Sequence, residues 1–222
     1  MIRIFVLTLL SISGFACSKL ENMYMIPGNG EVNYQITLDA TWSATTHPEN
    51  FPTNPHFSGV IGASHNVNFE QWREGEYSSP AIEVMAESGS KSVLESEIRK
   101  QQQAGNVDKL ISIGGISTSP GKLLIMIPMN SSHPYISLTT MLAPSPDWFI
   151  GVNAVNLIDN GLWVNSKSID LYAFDAGTDD GADYTAENID ADPKQVISRI
   201  EVSPFAANQQ LRKVATLTFK KI

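Results

Sequence analysis

The sequence predicts an all-β fold with one helix, built as an antiparallel β-sandwich. Three observations carry this. From Val32 to Trp42 apolar residues fill every second position, the period of a strand with one buried face. Eight further short apolar segments follow between 107 and 219, punctuated by Gly, Pro, Asn and Asp. Only one stretch, Lys91 to Ala104, has convincing helical spacing. Many short strands and a single helix pack as two facing sheets rather than as a helix bundle or a parallel α/β fold.

The chain has 222 residues. A single domain of that size buries about 70% of its unfolded surface and needs no disulfide staples, and with one cysteine it can form none internally. Charged residues make up 17% and aromatics 9%, an ordinary globular composition. The net charge of −8 argues against a nucleic-acid partner, because phosphate binding needs a basic face.

The N-terminus reads as a targeting segment. Arg3 precedes an apolar run, Ile4 to Ile12, too short to span a bilayer. Small residues then lead to Cys17, followed by polar Ser18-Lys19. The pattern resembles a bacterial lipoprotein signal, with cleavage before Cys17, lipidation of that cysteine and attachment to the membrane of the cell envelope. It departs from that pattern at Gly14, where leucine is usual, and at bulky Phe15. The expected organisation is a signal over 1–16, a tether over 17–30 containing Pro27-Gly28-Asn29-Gly30, and a folded domain over 31–222.

Ser43 to Asn68 is rich in Pro, His and Asn, which bars a helix and predicts a long packed loop. His47, His56 and His65 recur every nine residues. That is not the tight spacing of a zinc finger or a helix-borne metal pair, so backbone hydrogen bonding is the expected role. In the helix, Val93, Leu94 and Ile98 share a narrow face, suited to covering a sheet edge. Ser90 is placed to cap it and Gly105 to end it. The run Leu123-Leu124-Ile125-Met126-Ile127 is continuously apolar and predicts a strand buried on both faces. Four tryptophans, Trp42, Trp72, Trp148 and Trp163, are expected in the core or at its rim.

Two acidic loops stand at the ends of expected strands. One is Pro144-Ser145-Pro146-Asp147-Trp148-Phe149. The other is Asp175-Ala176-Gly177-Thr178-Asp179-Asp180-Gly181. Carboxylates brought together repel, by roughly 1 kcal/mol per pair in water at about 4 Å and roughly 4 kcal/mol at an effective dielectric of 20. A hard cation removes that cost, and calcium takes six to eight oxygens from flexible loops. Asp147, Asp175 and Asp179 are therefore the expected ligands of a Ca²⁺ ion. The EF-hand frame does not apply: counted from Asp175, position 6 is Asp180 rather than Gly and position 12 is Ala186 rather than Glu. Asp and Gly also populate ordinary turns.

No nucleophile elbow, zincin pair or phosphate-binding loop is present. Asp39, His65, Glu83 and Glu87 supply acid–base groups, but no spacing joins them, and an enzyme is not expected. Against this background a family resemblance stands out. It rests on Trp42-Ser43, Thr46-His47-Pro48, His56-Phe57-Ser58, Ser64-His65, Trp72-Arg73-Glu74-Gly75, Ala86-Glu87-Ser88-Gly89-Ser90, Leu94 to Arg99, and the two acidic motifs. In order and rough spacing the chain resembles the spondin domain over about residues 32–202.

The resemblance implies a sandwich similar to the C2 domain with a metal ion at one end. It places that family's calcium-binding aspartates on Asp147, Asp175 and Asp179. Animal members carry a cysteine pair where this chain has Ile158-Asp159-Asn160-Gly161. The expected function is a lipid-anchored envelope protein whose calcium-stabilised domain binds an extracellular or surface ligand, as in adhesion. A calcium-dependent membrane- or glycan-binding module is the alternative; it needs exposed apolar or basic residues in the loops, and Phe149, the candidate there, is expected to be buried in its strand instead. A hydrolase using the His-rich loop comes third, and it requires a histidine to meet a carboxylate in a cleft.

Overall fold

A computed structural model describes residues 31–222. The expected signal, tether and lipidation site at Cys17 lie outside the described residues. The described chain starts with β1 (Val32–Ala40), β2 (His56–Phe57) and β3 (Ile61–His65). Two helices follow, α1 (Pro80–Ser88) and α2 (Ser92–Gln103). Then come β4 (Val107–Ser112), β5 (Gly121–Met129), β6 (Tyr135–Ala143), β7 (Trp148–Asn156), β8 (Ile158–Asp159) and β9 (Leu162–Trp163). The chain finishes with β10 (Ser166–Leu171), β11 (Phe174–Asp175), β12 (Ser198–Arg199), β13 (Ala206–Ala207), β14 (Gln210–Leu211) and β15 (Ala215–Lys221).

Two antiparallel sheets make the sandwich. The smaller runs β10-β15-β1-β5; the larger runs β12-β11-β7-β6-β3-β4, with β2 on β6. β1 is the centre of the smaller sheet, pairing β15 through Ile36↔Phe219 and β5 through Ile36↔Ile125. Its alternation places Tyr34, Ile36, Leu38 and Ala40 against Ile136, Leu138, Ile150 and Val152 of the facing sheet in one apolar core. Trp42, Trp148, Tyr184 and Phe205 close one end of that core, with ring centroids 5.2–5.9 Å apart.

The continuous apolar run is not buried on both faces. Leu124 and Met126 are 60% and 59% exposed. They alternate with buried Ile125 and Ile127 on an edge strand whose outer face meets water. The strand buried on both sides is β6, most of whose residues are buried, because the helices cover only the larger sheet. α1 and α2 bring Ile82, Met85, Leu94 and Ile98 onto Ile61, Ala63, Met141 and Phe149 in a second apolar cluster.

The expected helix is present as α2, but Lys91 rather than Ser90 stands at its N-cap position, and no side chain caps it. α1 is an addition to the expected single helix. Ser79 Oγ accepts from Ile82 N, Pro80 opens the first turn, and Gly89 closes the helix at φ 69°, a left-handed position that glycine fills without strain.

One predicted strand divides in two. Ile169 to Phe174 is one of the eight apolar segments that the sequence marks as strands; β10 ends at Leu171 in the smaller sheet, and β11 begins at Phe174 in the larger. The chain changes sheets across Tyr172-Ala173. That crossing sets Asp175 opposite Trp148 and brings the two acidic motifs together.

Candidate metal centre

Asp147 is fully buried at the start of β7. Its Oδ2 accepts from Thr178 N at 2.8 Å, Thr178 Oγ1 at 3.2 Å and Asp179 N at 3.2 Å. Its Oδ1 is buried with no hydrogen-bond partner among the described residues. Burial first, and then the negative charge of Asp175, pushes its carboxyl up to about 6. A buried carboxylate oxygen without a partner carries its full desolvation cost, a cost that a nearby cation would relieve.

Asp175 also titrates high. Burial is the main cause and Asp179 and Asp180 add to it, while the Gly177 N–H and the Trp148 side chain hold it back. Gly177 N donates to Asp175 Oδ1 at 2.8 Å. Gly177 sits at φ 73°, where a Cβ would fall 2.3 Å from Gln195 O. Only glycine lets the 195–198 segment close over the loop.

Asp179 braces its own loop. Its Oδ1 accepts from Gly181 N at 2.6 Å and its Oδ2 from Ile189 N at 3.0 Å. Asp175, Asp179, Asp180, Gln195 and Ser198 line a cavity of about 270 Å³, with Asp147 behind the loop that forms it. Among the described residues no three His, Cys, Asp or Glu side chains converge at metal-ligand spacing. The structure thus brings Asp147 beside Asp175, and Asp175 and Asp179 onto one cavity.

The donor set suits a hard cation. It is all oxygen, with no nitrogen or sulfur ligand, which selects calcium or magnesium over zinc. The unpartnered Asp147 Oδ1 and the mutual repulsion of Asp147 and Asp175 are the features an ion would answer. When bound, such an ion supplies positive charge and cross-links the loops. The chain's own residues fix the loop: Asp147 ties Thr178 and Asp179, and Asp179 ties Gly181 and Ile189.

Two contributors were not read from the sequence. Thr178 donates its hydroxyl to Asp147, and the T in D-A-G-T-D is the only signal for it. Glu87 on α1 keeps Oε1 buried without a partner among the described residues. Burial pushes its carboxyl up, and the charges of Glu83, Asp179 and Asp190 add to the shift. Its position depends on α1, the helix the sequence reading lacks.

The other candidates disperse. His47 packs on Phe205, with Nδ1 2.9 Å from Thr46 Oγ1, and burial pushes it down to about 4. His56 meets Asn54 O and His65 meets Ser137 Oγ. Asp39 pairs with Lys122 and Glu83 with Lys194. No histidine forms an ion pair with a carboxylate among the described residues. Phe149 is fully buried beneath the helices, as expected of a strand residue. The loop exposes Asp180, Asp183, Glu187 and Asp190 together with Ile189, which is 54% exposed. No helix among the described residues is long and apolar enough to cross a membrane.

Comparison with known proteins agrees with this architecture. The Spondin_N family model matches residues 32–211. Spondin-2 of Homo sapiens is 29% identical over 199 residues, covering 88% of this chain and 60% of that protein. Spondin-1 of Gallus gallus is 35% identical over 179 residues, covering 76% of this chain and 22% of that protein. Spondin-1 of Homo sapiens is 33% identical over 178 residues, again covering 76% and 22%. The chain therefore spans 60% of this Spondin-2 and 22% of the two Spondin-1 proteins, less than two thirds of each. With a match across most of its length, the chain belongs to the spondin N-terminal domain family.

Proposed function

We propose that this chain is a non-enzymatic binding module: a calcium-stabilised spondin domain, held at a bacterial cell envelope through a lipid on Cys17, that docks an extracellular or surface ligand in adhesion. The observation that carries the calcium reading is the buried, unpartnered Oδ1 of Asp147 beside a second carboxylate, Asp175. Asp147, Asp175 and Asp179 are the residues that would hold the ion. Its role is to pin the acidic loop, 175–190, against the end of the sandwich.

Extracellular calcium modules bind with dissociation constants of roughly 10⁻⁴ to 10⁻³ M. At about 10 mM calcium that stabilises the fold by about 1.4–2.7 kcal/mol, or roughly 3–10 °C in melting temperature. Thermal melts of the chain in calcium, magnesium and EGTA, repeated with Asp179→Asn, test this. A calcium-specific rise that shrinks in the variant supports the reading, and superimposable melts in all three buffers remove it. Detergent partitioning of Cys17→Ala against wild type tests the anchor separately: equal membrane association of the two would eliminate lipidation.

A further inference from the structure

Two peripheral segments meet at the end of the sandwich closed by Trp42 and Trp148: 43–51, from the loop after β1, and 203–212, around the β13–β14 hairpin. Most of their residues are open to water. Within 43–51 only His47 is buried; within 203–212 only Pro204, Phe205 and Ala206 are. The His47 ring packs edge-on against the Phe205 ring at 5.6 Å. Phe205 in turn packs on Trp148 at 5.3 Å and on Tyr184 of the acidic loop at 5.9 Å. A histidine thus serves as the buried anchor of the first segment, where an apolar ring would make the same contact.

An ion pair ties the same two segments together. The Arg212 guanidinium grips Glu49 at two points, Nη2 to Oε1 at 2.9 Å and Nη1 to Oε2, and Nη1 also donates to Pro204 O at 3.2 Å. On the imidazole, Nδ1 lies 2.9 Å from Thr46 Oγ1, and Nε2 has no partner among the described residues. Burial, and after it the Arg212 guanidinium, push the ring down from 6.5 to about 4, while the Arg212 carbonyl and Glu49 pull weakly the other way. Glu49 is committed to Arg212, whose hydrogen bond holds its carboxyl below the usual range. Tyr184, across Phe205, is pushed up to about 12 by burial and stays neutral. A proton on His47 therefore adds a second positive charge beside a guanidinium, in a place closed to water.

We propose that His47 makes this end of the sandwich a latch released by acid. Neutral, the imidazole holds segment 43–51 on Phe205; protonated, it leaves for water and the two segments part. The open form gives the ring its ordinary value of 6.5 and the closed form about 4. The closed form is therefore fully favoured above about pH 6.5 and loses ground as pH falls toward about 4. At pH 5 the opening equilibrium lies roughly thirtyfold further toward the open form than at pH 7.5. Release also takes from Trp148 and Tyr184 the ring they pack on, which loosens the footing of the acidic loop. No ion takes part, so the latch is independent of the calcium reading above.

Amide hydrogen exchange on the whole chain in EGTA, corrected for its intrinsic pH dependence, tests this. The His47, Ala206 and Arg212 amides bond Ser43 O, Val202 O and Phe205 O. Between pH 7.5 and 5 their protection should fall roughly thirtyfold, with the amides of β1 the better protected at both pH values. In His47→Phe, which keeps an aromatic anchor and has nothing to titrate, the fall should vanish. Proton NMR of the wild-type chain gives a second measurement that does not depend on the variant folding: the His47 ring should titrate below about pH 5. Unchanged latch protection at pH 5, an equal fall in His47→Phe, latch and β1 amides equally protected at pH 5, or a His47 midpoint of about 5 or above would overturn the proposal.

Discussion

His65, at the end of β3, and Asp147, at the acidic loops, are both fully buried and are satisfied differently. His65 is fully enclosed, yet both ring nitrogens have partners: Asn66 O at 2.8 Å and Ser137 Oγ at 2.8 Å. Ser137 Oγ in turn accepts from Ala154 N at 2.8 Å, next to the register shift between β6 and β7. The imidazole thus completes an internal network that stitches an irregular strand pair. Asp147 is equally enclosed, but one of its oxygens is left over. A buried polar group with every partner supplied is part of the scaffold; a buried carboxylate oxygen with a partner missing calls for a further explanation, and a cation beside two carboxylates would supply one.

The sharpest way to break this contrast is to remove the satisfied group. His65→Ala loses stacking on Tyr135, an edge contact with Phe69 and the bond to Ser137. It should cost roughly 2–4 kcal/mol in denaturant unfolding, by the same amount with or without calcium. A calcium-dependent loss would make His65 part of the site rather than the scaffold.

Removing the unsatisfied group should do the opposite. Burial and the charge of Asp175 raise the carboxyl of Asp147 from the ordinary value of about 3.8 to about 6 in the fold. The metal-free fold therefore binds its proton more tightly than the unfolded chain does. The resulting stability is fully present below about pH 4 and is lost as pH rises through about 6, amounting to about 3 kcal/mol. Asp147→Asn should flatten this dependence and raise metal-free stability at neutral pH by up to about 3 kcal/mol, while abolishing any gain from calcium. Urea melts between pH 4.5 and 7.5 in EGTA measure it, and a variant less stable than wild type at pH 7.5 would count against the charge-burial account.

The smallest effect belongs to the open face of the smaller sheet. Leu124 lies opposite Thr37 on an edge strand, so Leu124→Thr should change stability by less than about 0.5 kcal/mol. A loss several times larger would mean that this face is covered.

The parts of the fold written in local periodicity were legible in the sequence. β1 announces itself by strict alternation, and the acidic motifs by their turn chemistry. What escaped depends on neighbours. Leu124 and Met126 look like core until the helices are seen to cover only the other sheet. α1 is short and contains β-branched Ile82 and Val84, so its spacing is weak even though Ser79-Pro80 and Gly89 mark its ends. The sheet change at Tyr172-Ala173 leaves no mark in an unbroken apolar run, yet it is the step that sets Asp175 beside Asp147. Proximity of the two motifs was therefore inferable from strand-end placement and family resemblance, while the roles of Thr178 and Glu87 were not.

The central claim is that carboxylates gathered at this end of the sandwich await a divalent ion. Calorimetric titration of calcium into the wild-type chain and into Asp175→Asn tests it most directly. The account predicts saturable one-to-one heat for wild type, with a dissociation constant of roughly 10⁻⁴ to 10⁻³ M, and none for the variant. Indistinguishable heats from the two proteins would contradict it.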